Sequence, residues 1–155
     1  MAAASPEAEE ITVKRHVLQL LPAAAVAALA LVPPAAAVNP YVHVKLRPAA
    51  GSGVSGSALV AAKNDGTRVT VTLYGLAPKL AVRALLHAGT CAQPSASVAT
   101  IVSATASAAG SASATGTILF HGAPVSFIGV ADGEHVVTIV AGSRVAACGV
   151  IPAMR

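Results

Sequence analysis

From Val38 onward, apolar and polar positions alternate in short runs. In Arg68 to Tyr74, Val69, Val71 and Leu73 fall on one side and Thr70, Thr72 and Tyr74 on the other. That is the period of a strand with one face buried and one wet. Similar runs recur at Tyr41 to Leu46, Ala58 to Lys63, Ala81 to His87, Val98 to Ala104, Ser111 to Leu119, Val125 to Val130 and His135 to Val140. Turn sequences separate them, at Asn64-Asp65-Gly66, Ala77-Pro78, Ala109-Gly110, His121-Gly122-Ala123-Pro124 and Asp132-Gly133. About eight strands at this spacing, with no segment of helical period after Val38, predict an all-β Greek-key β-sandwich or barrel. The Ser/Ala-rich stretch from Ser103 to Thr115 is expected to form edge strands or a surface hairpin around Gly110. It should be the least stable part of the sheet, because Ser and Ala bury little surface.

The first 37 residues follow a different pattern. Lys14, Arg15 and His16 precede an uncharged run from Val17 to Ala37, rich in Leu, Ala and Val between Leu18 and Val32. Pro33 and Pro34 then stop any helix, and Ala35-Ala36-Ala37 supplies the small-residue pattern of a signal peptidase site. This order predicts a signal peptide over 1–37 and one domain over 38–155, exported to the cell envelope or secreted. The alternative is an uncleaved segment associated with the membrane, although Pro22 and the alanine content weaken a span of this length. Glu7, Glu9 and Glu10, ahead of the basic residues, are unusual in a signal and would be explained by a start at Val13.

Composition narrows the function. Charged residues make up 10% of the chain and aromatics 3%, with no Trp, which excludes a disordered polyelectrolyte and an aromatic platform for nucleic acid. After Val38, eight Lys and Arg face only Asp65, Asp132 and Glu134. The cations are scattered singly, as solvated surface charge is, with a patch for anions as the other reading. The only two cysteines, Cys91 and Cys148, read as one disulfide in an oxidising compartment. Metal ligation by the two thiols lacks further ligands at suitable spacing.

Around these cysteines the chain resembles the copper/zinc superoxide dismutases and their catalytically degenerate exported relatives. The segment GSRVAACGVI, Gly142 to Ile151, resembles the family's closing strand, with its Gly-Ser-Arg, disulfide cysteine and Gly-Val-Ile. The stretch VTLYGLAPKLAVRALLHAGTC, Val71 to Cys91, resembles its strand, Gly-Leu-x-Pro turn, metal-binding strand and partner cysteine. The resemblance implies a superoxide-dismutase-like fold and a Cys91–Cys148 pairing.

The family's metal ligands do not carry over. At its His-x-His this chain has Leu85 and His87, and between Cys91 and Arg144 only His121, His135 and Asp132 stand where a ligand set is needed. The closing segment also holds one residue more between Arg144 and Cys148 than the family pattern, which leaves open whether Arg144 takes the family's anion-guiding position. His87 reads as a hydrogen-bonded histidine at the sandwich rim, His121 as a surface turn residue and His135 as the opening of a strand. The same three are the candidates for a residual metal site. No Ser-His-acid set is visible, because all three acids fall in turns.

These readings converge on an envelope module without cofactor, serving in binding or structure, whose partner the sequence does not name. A copper- or zinc-dependent protein using a residual site at His87 is the alternative, and a chordin-type module, likewise short of ligands, is a third. Mass spectrometry of the exported protein should find Val38 at its N-terminus; a product retaining Lys14 to Ala37 would refute the processing.

Overall fold

The computed structural model describes residues 39–154, so the predicted signal segment and its membrane association lie outside the described residues. Ten strands are present: β1 (Tyr41–Pro48), β2 (Ser55–Lys63), β3 (Gly66–Tyr74), β4 (Ala81–Gly89), β5 (Pro94–Thr105), β6 (Ala112–Thr117), β7 (Leu119–Phe120), β8 (Ala123–Pro124), β9 (His135–Ala141) and β10 (Arg144–Val150). Among the described residues there is no helix. Eight strands form one curled sheet in the order β5-β4-β9-β10-β1-β2-β3-β6, and β7 and β8 form a separate ribbon.

The curl brings the two edge strands together. A Cβ placed on Gly116 of β6 would lie 2.2 Å from the Ile101 carbonyl of β5, so the two backbones touch where only glycine fits. Around the barrel the order therefore runs β3, β6, β5, β4, β9. The β3–β4 and β6–β9 connections each pass over two strands, as a Greek key does. The seam between β10 and β1 is short, pairing Arg47 with Cys148 and Pro48 with Ala147.

Alternation within the strands fills the interior. Val44 and Leu46 of β1, Val69, Val71 and Leu73 of β3, Leu86 of β4 and Ile139 of β9 are buried. Each such side chain contributes about 1.5–3 kcal/mol. The core is narrow because much of it is alanine, including Ala58, Ala84, Ala99 and Ala112.

One sequence expectation needs correction. Val125 to Val130 is not a strand: Gly129 N–H bonds to Ser126 O, and Val130 and Ala131 N–H bond to Phe127 O. The Ser126 hydroxyl also accepts from Gly129 N–H, which favours a turn over an extended run. Val125 and Phe127, two apart, imitate strand alternation, while Phe127 and Val130, three apart, enter the core and Ile128 is exposed, and six residues are too few to separate the two spacings. The eighth main strand is instead β10. The stretch from Ser103 to Thr115 does form the two edges, yet its turn is tied down, with Ala106 N–H bonded to Leu80 O and Leu76 N–H to Gly110 O.

The barrel has two unlike ends. At the histidine end lie the β2–β3 turn, the β4–β5 loop, the β7–β8 ribbon and the turn before β9. At the glycine end lie the loops 49–54, 75–80, 106–111 and 142–143.

Gly116→Ala should lower stability by about 1–3 kcal/mol, as overpacking does where backbone cannot yield. Urea unfolding tests this, and a variant as stable as the parent would mean that β5 and β6 do not approach so closely.

Candidate functional site

Arg83, Leu85 and His87 alternate to the outer face of β4, while Val82, Ala84 and Leu86 face the core. Register sets their neighbours. Leu85 stands opposite Thr138 of β9, which stands opposite Cys148 of β10, and His87 stands opposite Val136, which stands opposite Val150. Thr138 and Val136 are on the outer face, yet they are as buried as the core, at 1% and 0% exposure.

The β4–β5 loop is fastened beside them. Cys91 in that loop is bonded to Cys148, with Cα atoms 5.8 Å apart, as the sequence reading required. Gly89 N–H donates to Glu134 O at 2.8 Å, which holds the start of the loop against the turn before β9. The cross-link spans 57 residues and is worth about 4 kcal/mol in the chain-entropy account. Beside it, Lys45 and Arg47 of β1 line a groove of about 370 Å³ with Cys91, Cys148 and Val150. A cost accompanies the arrangement: the Thr138 hydroxyl is buried with no hydrogen-bond partner among the described residues, at about 1–3 kcal/mol.

The three candidate histidines go to three different places. His87 Nδ1 lies 2.8 Å from the Ser95 carbonyl of β5, a bond in which the ring nitrogen donates, so His87 is a rim histidine linking β4 to β5. His135 opens β9 opposite Ala88, one row from His87 and therefore on the other face of the sheet. His121 occupies the β7–β8 turn at φ 49°, with its ring edge-on to Phe120 at 4.2 Å. Among the described residues no three His, Cys, Asp or Glu side chains gather as metal ligands would.

Among the described residues the tightest pair of ionisable groups is His135 and Asp132. Both Asp132 oxygens lie 3.0 Å from His135 Nδ1, and Asp132 Oδ1 accepts from Glu134 N–H at 2.8 Å. Partial burial alone would raise the Asp132 pKa. The His135 hydrogen bond, the Glu134 amide and the imidazole's charge outweigh it and hold the carboxyl below its ordinary value. The pair fixes the turn that delivers β9, and the sequence signal for it was Asp-Gly-x-His, an Asx turn facing a strand-opening histidine.

No family model and no curated protein matches the chain.

Because the Asp132 pKa is depressed in the folded state, its stabilisation is present above the unfolded carboxylate pKa and is lost as pH falls through the lower folded value. Asp132→Asn should therefore be less stable than the parent at about pH 6, and the gap should close in strong acid. Unfolding midpoints measured across that range test this; a gap independent of pH would place the effect elsewhere.

Proposed function

We propose that the chain is an exported module built on a superoxide-dismutase-like barrel, without dismutase chemistry, that serves binding or structure in the cell envelope. The observation that carries this reading is the outer-face row Leu85, Thr138 and Cys148 beside His87. Dismutation cycles a metal between two oxidation states and requires several imidazoles with one position open. Here the outer-face neighbours of the single matched histidine are Leu85 on its own strand and Val136 opposite it, with the buried Thr138 hydroxyl on the diagonal. The His87 Nδ1 is already engaged with Ser95, which leaves one ring nitrogen. A lone imidazole does not hold copper or zinc tightly.

The family likeness is supported by the two connections that each pass over two strands and by the disulfide from the loop after β4 to the last strand. Export is supported by the basic, apolar and Ala-x-Ala order of the leader and by a disulfide suited to an oxidising compartment.

Metal analysis of the exported protein, together with a superoxide-removal assay, tests the reading. The expected result is copper and zinc far below stoichiometric and no acceleration over the uncatalysed reaction. Stoichiometric copper with fast removal would overturn it, and tight zinc or copper lost in His87→Ala would replace it with the residual-site alternative.

A further inference from the structure

The glycine end of the barrel holds a cavity that the sequence did not reveal. Loops at this end meet backbone to backbone. A Cβ on Gly75, at φ 78°, would lie 2.5 Å from Gly53 O, and one on Gly110, at φ 74°, would lie 2.5 Å from Leu76 O. Between loops 49–54, 75–80 and the β9–β10 turn is a hollow of about 410 Å³, within the range of small-ligand sites. Val54, Ala77, Leu80 and Val145 give it apolar walls, Ser52 lies at its side, and among the described residues Arg144 is the one charged residue lining it.

A β-bulge aims Arg144 there. Val145 pairs with Val140 and Ala147 with Ile139, so Ala146 is an extra residue in β10. In an unbroken strand Arg144 would share the outer face with Cys148, two pairs of residues further along. The inserted residue reverses that parity, and Arg144 instead stands opposite Ala141, at the mouth of the barrel. The bulge is fastened: Ala146 is buried, and its carbonyl accepts from Ala49 N–H at 2.9 Å and from the Ser52 hydroxyl.

The acidic residues after Val38 are confined to one end of the barrel. Asp65, Asp132 and Glu134 all lie at the histidine end, where Asp65 faces Arg68 at 3.8 Å and Asp132 faces His135. Arg144 has no ion-pair partner among the described residues, and Lys79 and Arg83 lie toward the same glycine end. The field at that end attracts anions, with no acid nearby to compete.

We propose that this cavity binds a small carboxylate with an apolar body, its head group on the Arg144 guanidinium and its chain against Val54 and Leu80. A guanidinium takes a carboxylate through two parallel hydrogen bonds, which gives the head a fixed orientation. The proposal deepens the binding-module reading by naming a ligand class. It is decided separately, since the metal assay reports on the outer face of β4 and ligand titration reports on the opposite end.

The test is titration of the exported protein with octanoate, followed by amide shifts of Gly51, Ser52 and Gly75, with octanol and inorganic phosphate as matched probes. Octanoate should give saturable shifts, and both octanol and phosphate should bind at least about tenfold more weakly, since each lacks half of the recognition. Arg144→Gln should weaken octanoate about tenfold or more while leaving the remaining amide spectrum in place. No saturable shift up to about 10 mM octanoate would overturn the proposal, that concentration marking the weak limit of specific binding. So would octanoate binding unchanged in Arg144→Gln. Phosphate binding as well as octanoate would overturn the apolar half of the recognition.

Discussion

The seam between β1 and β10 holds the two halves of the barrel in one continuous sheet. Only two residue pairs share register there, so the closure draws on neighbouring contacts as well as on ladder bonds. The disulfide ties Cys148 at the seam to the loop after β4, and the Ala146 carbonyl ties the strand's other half to the β1–β2 loop. Because β9 reaches β1 only through β10, loosening this strand would open the barrel along its length and expose the alanine-lined interior. The bulge, the cross-link and the glycine contacts all serve the same need, which is to bring backbones close enough for a core of small side chains to close.

Small residues set both the shape and the chemistry. A core whose buried aromatic is Phe127, in a chain with no Trp, gains little per residue, and close approach of the strands compensates by excluding water from between them. That is why Gly116 meets the Ile101 carbonyl directly, and why a cross-link worth about 4 kcal/mol is a large share of the net stability of a domain this size. The outer face at Leu85 and Thr138 follows the same economy. There Val136 and Thr138 are as buried as the core, beside the disulfide loop.

Much of this was legible in the chain. The Arg68 to Tyr74 strand could be read because each apolar residue has a polar neighbour, and the pairing of the cysteines because there are only two. The placement of His87 at a rim followed from its position at the end of an alternating run. Val125 to Val130 misled, since six residues with apolar positions at both spacings do not distinguish a turn from a strand, and the Ser126 hydroxyl decided between them. The tight packing of the Ser/Ala-rich turn was hidden because backbone bonds, on which composition is silent, hold it. Arg144 was the deepest case. An extra residue was visible before Cys148, but its effect on which way the arginine faces depends on register against β9, and register belongs to the partner strand.

The closing contacts carry a kinetic consequence. Ser52 and Ala146 are 94 residues apart in sequence, and the bond between them belongs to the same seam that completes the barrel. The hairpins β1–β2, β2–β3 and β4–β5 can each form locally, but none has both faces of its sheet satisfied until the ends of the domain meet. Folding dominated by such distant pairings is slow, on the order of milliseconds to seconds. For that interval the unpaired edges of β1 and β10 are open to other chains, and the Cys91–Cys148 bond of the finished fold holds β10 to the loop after β4.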